Sequence, residues 1–304
     1  HNWDMLERGY TMHHAISQYK QGNILATVSK TSAKIANGKD VRINDFIIRM
    51  DPEKGEILQE WDLVNMLDSA RYGMTDYNLT ADPYAQNASN WAHNNGIVEW
   101  GNDYLATARY QGIFKFNKAG GIEWIISPHG YWRDRYLKLL LNPLHADGTP
   151  ITDPDVIAGT KNCDDFEWPW GCHTAVPLPN GHIFYFNNGY GRNFKLDFTD
   201  RKNVYTCGIE YEVDEVNRTV RQVWQYGKER GTAYFTPARS GVQYLEQTGN
   251  RLICPGMSNV LSNGNRGARV TEVDPETQEI VFELELEDAI YQRVYRMSLY
   301  PDNQ

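Results

Sequence analysis

The chain has 304 residues, and its 39 Asp and Glu outnumber its 30 Lys and Arg, which gives a net charge of −9. This charge and the lack of a basic tract argue against a nucleic-acid partner, because phosphate binding requires clustered Lys and Arg. The hydrophobic fraction of 41% excludes a disordered chain, and the longest apolar stretch, residues 136–144, is too short to span a bilayer. The aromatic fraction of 12% favours β structure.

A repeat in the sequence carries three histidines. His14, His93 and His173 stand 79 and 80 residues apart, and each is followed eight residues later by the glycine of a turn. A fourth copy covers residues 240–252 and has no histidine at this position. Equivalent positions of a repeat occupy equivalent places in the fold, so we expect the three histidines to lie in the same place on three structural units.

Each copy of the repeat is predicted to form two consecutive β-hairpins. The first consists of a strand, the glycine turn and a second strand. The second hairpin has alternating strands around a turn and ends near an aromatic residue; these hairpins cover residues 45–63, 112–126, 208–226 and 268–284, and the aromatic residues are Trp61, Trp124, Trp224 and Phe282. Two hairpins make four antiparallel strands, so the sequence predicts an all-β protein with four such units.

Four-stranded antiparallel units in series are typical of a β-propeller, in which each unit is a blade around a central channel. If the innermost strand of each blade carries the histidine, then His14, His93 and His173 point to one end of this channel. Three insertions, at residues 64–91, 131–172 and 189–205, are predicted to cover that end, with a short helix over residues 137–141. We therefore expect the functional site at the covered end.

One propeller domain is predicted to extend over residues 1–304. Four blades are few for a closed ring, so we expect further blades upstream of residue 1. The strand predicted at residues 291–300 is expected to close the ring.

Polar side chains near these histidines favour the binding of a compact oxyanion. Asn95 stands two residues after His93 and therefore faces the same side of its strand. Arg109 closes the next strand of the hairpin, and Arg296 lies on the predicted closing strand. A guanidinium group offers a bidentate fork to sulfate or phosphate, and His and Asn side chains add further donors.

The three histidines also admit interpretations other than oxyanion binding. A single histidine on a strand is more often structural, but burial of a polar side chain at three equivalent positions is costly without partners. Three histidines could also bind Zn²⁺, although Arg109 beside them would repel the cation. The paired carboxylates of a glycoside hydrolase are not evident at these positions, and the run Gly189-Tyr190-Gly191 lacks the Lys of a phosphate loop. We therefore expect no metal at this site.

The four cysteines are Cys163, Cys172, Cys207 and Cys254, and none forms a CxxC pair. This spacing makes a zinc knuckle improbable. Cys163 and Cys172 bracket a short loop and are predicted to form a disulfide in an oxidising compartment. Four reduced thiols in a cytosolic protein are the alternative.

Four runs of the sequence resemble the bacterial arylsulfate sulfotransferase family in their order and approximate spacing. They are Trp91-Ala92-His93-Asn94-Asn95, Ala108-Arg109-Tyr110-Gln111-Gly112, His173-Thr174-Ala175 with Phe186-Asn187-Asn188-Gly189, and the run of residues 223–231. The resemblance implies a six-bladed propeller with a smaller N-terminal β domain, exported to the periplasm or the cell exterior. It also implies transfer of a sulfuryl group from an aryl sulfate donor to a phenolic acceptor, without 3′-phosphoadenosine-5′-phosphosulfate and without a metal.

Roles for individual residues follow from the same resemblance. His173 matches the family histidine that becomes transiently sulfated, which makes the expected mechanism ping-pong. His14 and His93 match two further histidines, one of which would act as acid and base, and Asn95 and Arg109 match the pair that contacts the sulfate. The sequence alone leaves a hydrolase with the same histidine, or a propeller that only binds anions or glycans, as alternatives.

Some positions depart from the family pattern or are assigned more weakly. A family threonine falls on Arg239, where Ser240 could substitute, and Cys172 directly precedes His173, unlike the short disulfide loop of family members. Tyr110, Trp168 and Trp170 are predicted to stack on the phenol ring. The oligomeric state stays open, with a homodimer as one option.

Overall fold

Four antiparallel sheets provide nearly all regular structure in this computed structural model, which describes residues 3–19, 22–37, 40–71, 91–258 and 267–287, with the backbone alone for 31–37 and 40–44. The first sheet contains β1 (Tyr10–Gln18), β2 (Ile24–Asn37), β3 (Asp40–Asp51) and β4 (Glu56–Asp62). The second contains β5 (Asn94–Trp100), β6 (Asp103–Ala108), β7 (Gly112–Phe116) and β8 (Ile122–Ile126).

The third and fourth sheets repeat this order. The third contains a short additional strand, β9 (Asn142–Leu144), followed by β10 (His173–Pro177), β11 (Ile183–Asn187), β12 (Cys207–Asp214) and β13 (Thr219–Tyr226). The fourth contains β14 (Gly241–Tyr244), β15 (Arg251–Cys254), β16 (Ala268–Val273) and β17 (Ile280–Leu286). Neighbouring strands pair in chain order in every sheet, except that β9 pairs in parallel with the outer strand β13.

The first hairpin of every sheet turns at the glycine of the repeat. The four glycines have positive φ angles between 64° and 85°, a region that residues with a Cβ rarely adopt. They are Gly22, Gly101, Gly181 and Gly249. The repeat therefore marks the turn by which the first strand of each sheet meets the second.

The first strands of the four sheets pack side by side. β1 contacts β5, β5 contacts β10, and β10 contacts β14. The sheets extend outward from this row of first strands, as blades do in a propeller. The prediction of an all-β fold built from four-stranded antiparallel blades is confirmed, while the number of blades in a complete ring stays a prediction.

Tryptophans on the outer strands of the first three sheets connect each of these sheets to the next one by a hydrogen bond. Each indole N–H donates to the outer turn of the following sheet, and the pairs are Trp61 to Lys118 O (3.0 Å), Trp124 to Glu215 Oε1 (2.8 Å) and Trp224 to Pro275 O (3.1 Å). The rings also pack between the sheets, where the Trp61 centroid lies 4.7 Å from that of Tyr104. The three tryptophans of the repeat are thus structural, whereas Phe282 on the fourth sheet is exposed.

The predicted helix over residues 137–141 is wrong in its position. The two α-helices in the described part of the chain are α1 (Asp134–Leu137) and α2 (Pro154–Ala158), both in the insertion before β10. Leu137 ends α1 and residues 138–139 form a turn. The chain then runs beside β8, because Ile125 N donates to Leu139 O at 2.8 Å and Leu141 N donates to Ile125 O at 3.0 Å. Every helix in the described ranges falls short of the length needed to cross a membrane. Residues 291–300, and with them Arg296, lie outside the described residues, as does most of the insertion at 64–91.

Candidate active site

The three histidines of the repeat lie at or beside irregularities of the first strands: His14 within β1, His93 directly before β5 and His173 at the start of β10. The pairing register shifts between His13 and Ile16 in β1, between Asn94 and Gly96 in β5, and between His173 and Ala175 in β10. The backbone φ angle is 50° at His14 and 54° at His93, in the left-handed region. Such bulges re-aim side chains away from the regular alternation, and they are frequent next to active sites.

The bulged strands bring the three side chains together at one end of the row of first strands. His93 Nε2 lies 3.1 Å from His14 Nε2, and their ring centroids lie 4.6 Å apart. The ring centroids of His14 and His173 lie 6.3 Å apart. His173 is buried, His93 is half-buried and His14 is exposed. We refer to these residues, with Arg109, as the histidine cluster.

His173 is held in one tautomer by Asn188. The distance from His173 Nδ1 to Asn188 Oδ1 is 2.6 Å. Asn188 Nδ2 donates to Thr236 O at 2.8 Å and to Arg239 O at 3.2 Å, which leaves its Oδ1 as the acceptor. His173 Nδ1 is therefore the protonated nitrogen, and Nε2 carries a lone pair in the neutral ring.

Arg109 is a buried cation in the same cluster. Its side chain is 1% exposed, and its Nη2 donates to Pro237 O at 2.7 Å. The guanidinium carbon lies 4.6 Å from the ring centroid of Tyr190, within range of a cation–π interaction. The backbone N–H of Arg109 donates to His93 O at 2.9 Å, which ties the second strand of the hairpin to the histidine.

A single loop, residues 236–240, anchors both Arg109 and the partner of His173. Its carbonyl oxygens accept hydrogen bonds from Asn188 and Arg109, as described above. Ser240, which ends this loop, is 2% exposed, and its Oγ accepts from Gly256 N at 2.9 Å. The fourth sheet therefore contributes backbone acceptors to the site where the other sheets contribute histidines.

The environment keeps two of the histidines neutral. Burial, above all, lowers the pKa of His173 well below its usual value, and the charges of Arg109 and His14 lower it further. Burial also lowers the pKa of His93 well below its usual value, with additional contributions from His14, Arg109 and His173. A neutral imidazole is the form that can act as a nucleophile.

Asn95 lies beside the nucleophile candidate but is bonded to the backbone. It is 2% exposed, and its Nδ2 donates to Cys172 O at 2.9 Å. Its Oδ1 is buried and has no hydrogen-bond partner among the described residues. Asn95 thus connects β5 to the residue that precedes His173.

The predicted aromatic rim is different in the structure. Tyr110 borders the cluster, with its ring centroid 6.0 Å from that of His93, but it is 1% exposed. Trp168 and Trp170 are core residues, because their rings pack edge-on against Phe166 and Phe194 and each is 3% exposed or less. The expectation that these two tryptophans stack on a substrate ring is therefore corrected.

The predicted disulfide between Cys163 and Cys172 is wrong in this structure, where both are free thiols. Cys163 lies in a partly exposed loop and donates to Asp165 Oδ1 at 3.1 Å. Cys172 is completely buried among apolar side chains, and burial raises its pKa to about 12. The two sulfur atoms belong to different environments, so the short separation in sequence does not bring them together.

A group of possible metal ligands surrounds Cys163. The donor atoms of His145, Cys163 and Asp165 lie within 4.8 Å of one another, and this is the one such group among the described residues. His145 Nδ1 lies 3.0 Å from Asp165 Oδ1. The group is separate from the histidine cluster, and the hydrogen bonds to Asp165 already account for its geometry.

Sequence reasoning missed three contributors to the site. Asn188 stands out in the sequence only as part of the run at residues 186–189, and Tyr190 only within the run Gly189-Tyr190-Gly191. His13 was overlooked, although its Nδ1 lies 3.0 Å from His14 Nδ1. The adjacent histidines in the sequence were the available signal for it.

Comparison with known proteins finds two relatives that share one name. Two proteins named arylsulfate sulfotransferase AssT are each 28% identical to this chain. The one from Escherichia coli O6:H1 aligns with 98% of this chain and 54% of its own length, and the one from Lelliottia amnigena with 93% and 52%. The chain thus spans about half the length of the curated relatives it matches.

The similarity to a solved structure supports no conclusion, whereas the match to a family model shows the family of the chain. Among solved structures, a europium-containing methanol dehydrogenase aligns with 91% of this chain and 69% of its own, at 10% identity and a TM-score of 0.34, which is too weak to support a conclusion. The family model described as arylsulfotransferase (ASST) matches residues 1–296. The chain belongs to the arylsulfotransferase family.

Proposed function

We propose that this chain transfers a sulfuryl group from an aryl sulfate to a phenolic acceptor through a sulfohistidine at His173. The hydrogen bond from His173 Nδ1 to Asn188 carries the proposal, because it leaves Nε2 unprotonated beside a buried arginine and two further histidines. The family of the chain and the names of its two relatives support the same chemistry.

In the first half of the proposed reaction, His173 Nε2 attacks sulfur in line with the aryl oxygen. The N–S bond forms while the S–O bond to the aryl group breaks, and the departing phenolate takes a proton from His14 or His93. The Arg109 guanidinium stabilises negative charge on the sulfuryl oxygens, an effect worth about 3–4 kcal/mol for a well-placed donor. Asn95 is the second proposed contact to these oxygens.

The second half reverses these steps with a new phenol. The acceptor gives its proton to the histidine that acted as the acid, and its oxygen attacks sulfur as the N–S bond breaks. Every step uses side chains of this chain. Independence of 3′-phosphoadenosine-5′-phosphosulfate and of a metal, export to the periplasm or the cell exterior, and the option of a homodimer stay predictions.

Intact-protein mass spectrometry tests the proposal. We would mix the protein with 4-nitrophenyl sulfate, without acceptor, and compare it with the variants His173→Asn and His182→Asn. His182 is a matched control, because it lies at the other end of the same hairpin and pairs with Glu210 through Nδ1 at 2.6 Å. The unmodified protein and the His182 variant should gain the mass of one sulfuryl group, and the His173 variant should gain none.

Addition of a phenol to the labelled protein then separates the alternatives. Appearance of the sulfuryl group on the phenol supports the transferase, whereas release of free sulfate alone would point to a hydrolase. Binding of aryl sulfate without any turnover would favour a propeller that only binds anions. Labelling of the His173→Asn variant would place the nucleophile elsewhere.

A further inference from the structure

A row of side chains connects the histidine cluster to a carboxylate in the first sheet. His93 and His14 face each other through Nε2 at 3.1 Å, and His14 Nδ1 lies 3.0 Å from His13 Nδ1. The remaining nitrogen of His13, Nε2, lies 3.6 Å from Asp45 Oδ1. Three imidazoles and one carboxylate therefore form a row, which we name the relay row (His93, His14, His13 and Asp45). Its last contact, from His13 to Asp45, is at ion-pair distance and is longer than a hydrogen bond.

The bulge in β1 makes this row possible. Consecutive side chains of a regular strand point to opposite faces, so His13 and His14 would otherwise be separated by the sheet. The register shift after His13, together with the φ angle of 50° at His14, breaks the alternation. Thr27 Oγ1 supports the distortion, because it accepts from Ala15 N at 3.1 Å and donates to His13 O.

Asp45 is a fixed anion at the end of the row. It is 8% exposed, and it accepts hydrogen bonds from Asn94 N at 2.9 Å and from Ser29 Oγ at 3.2 Å. Because Asn94 directly follows His93, the same carboxylate holds the backbone beside one end of the row and faces His13 at the other. Its Oδ1 also lies at ion-pair distance, 3.6 Å, from His13 Nε2.

The opposite end of the row disfavours a proton. Burial and the charge of Arg109 lower the pKa of His93, as described above. The two ends of the row therefore differ in the charge that they face, because His93 lies near Arg109 and His13 lies near the Asp45 carboxylate. His14 stands between these two ends.

We propose that His13 and Asp45 are positioning residues that store a proton for His14, and that His14 is the acid and base of the transfer. This inference rests on the function proposed above. It selects between His14 and His93, which the sequence leaves open.

The proton movements balance over both half-reactions. In the loaded row, His13 is protonated at both nitrogens, with Nε2–H toward Asp45 and Nδ1–H toward His14 Nδ1. When the departing phenolate takes the proton from His14 Nε2, His14 Nδ1 takes the proton from His13 Nδ1, so the row loses one proton in total. The acceptor phenol later returns a proton to His14 Nε2, and the Nδ1 proton moves back to His13.

The test compares two donors on the same enzyme sample. 4-Nitrophenolate is a stable leaving group that needs little protonation, whereas phenolate needs an acid to leave. In single-turnover sulfation of His173, the variant His13→Gln should lose much more rate with phenyl sulfate than with 4-nitrophenyl sulfate. We expect the ratio of the two rate constants to change by roughly 10²-fold or more, the scale of general acid catalysis.

A second variant and a control keep the result interpretable. Asp45→Asn should change the ratio in the same direction by a smaller factor, and His182→Gln should leave it unchanged. Misfolded protein lowers both rates equally, so it does not alter the ratio. An unchanged ratio in His13→Gln would overturn the relay while the proposed function stands, whereas failure of the unmodified enzyme to become sulfated by either donor would overturn both.

Discussion

Two polar clusters lie at opposite ends of one hairpin, β10–β11, and their charges are balanced in different ways. At the turn, Glu210 accepts from Arg251 Nη2 at 2.7 Å and lies 2.6 Å from His182 Nδ1. At the start of β10, His173 lies among His14, His93 and Arg109, where the neighbouring charges lower rather than raise its pKa. We name the first group, with Asn180, the turn cluster.

This difference separates a structural cluster from a reactive one. In the turn cluster the Glu210 carboxylate faces the Arg251 cation and the His182 ring, so its charge is balanced without a ligand. In the histidine cluster a buried guanidinium lies beside imidazole rings, so an anion entering the cluster would meet a buried positive charge. A cavity of about 410 Å³ opens beside the turn cluster, at Asn180 and Arg251. This cavity lies at the end of the hairpin opposite to the histidine cluster.

Breaking the turn cluster should affect stability and leave the chemistry intact. Glu210→Gln removes the buried anion and leaves Arg251 without compensation, which we expect to lower the free energy of unfolding by about 3–5 kcal/mol. Chemical denaturation measures this loss, and the sulfation rate per folded molecule should stay unchanged. A stable variant with impaired sulfation would show that the two clusters are coupled.

Removal of Arg109, the cation of the histidine cluster, should impair the chemistry. Arg109→Ala removes the charge that we propose stabilises the transition state, and we expect single-turnover sulfation to slow by roughly 10²–10³-fold while His173 still becomes labelled. Arg109→Lys is the matched control, because it retains the charge without the guanidinium fork. Equal rates for the Ala variant and the unmodified enzyme would remove Arg109 from the mechanism.

The orientation of the His173 ring should contribute less to the sulfation rate than Arg109 does. Asn188→Ala removes the acceptor at Nδ1, so that the ring is no longer restricted to the tautomer with a free Nε2. Loss of one such hydrogen bond corresponds to roughly a tenfold slower sulfation. Asn188→Asp, which keeps an acceptor oxygen, should retain more activity than the Ala variant when single-turnover rates are compared. If the Asp variant is the slower of the two, the tautomer argument is incorrect.

The repeat in the sequence predicted the parts of the molecule that recur. Spacing placed His14, His93 and His173 on equivalent strands, and the aromatic position of the second hairpin predicted the outer-strand tryptophans. Both follow from strand alternation and from one unit repeated along the chain. The fourth copy lacks the histidine, and its loop at residues 236–240 instead supplies backbone carbonyls, a role that no side-chain pattern reveals.

The errors have physical causes in irregular structure. His13 was missed because regular alternation places it on the face opposite to His14, and only the bulge brings the two rings together. The disulfide prediction used sequence separation, which does not fix the direction of the Cys163 and Cys172 side chains. The expected stacking of Trp168 failed because the insertion before β10 packs its aromatic residues into the core.

The pH dependence of sulfation should show the smallest effect, and it tests whether burial keeps His173 neutral. An ordinary histidine has a pKa of about 6.5 and is half protonated at that pH. The pKa of His173 is lowered well below that value, so its nucleophilic form persists as the pH falls. We expect the sulfation rate with 4-nitrophenyl sulfate, per folded molecule, to be the same at about pH 7.5 and pH 6.

The stability of the fold should respond to pH even where this rate does not. Below a pH of about 6.5 the unfolded chain binds protons at positions 93 and 173 that the folded chain excludes, so the free energy of unfolding falls as the pH is lowered. In the turn cluster the pKa of Glu210 is lowered, through its bonds to Arg251 and His182, and its contribution is lost only at more acidic pH. Denaturation curves at several pH values would separate the two regions.

The sulfation rate provides the contrary outcome for His173. A sulfation rate that halves near the pKa of free histidine would contradict the argument that burial keeps His173 neutral, because it would mean that His173 is exposed to solvent.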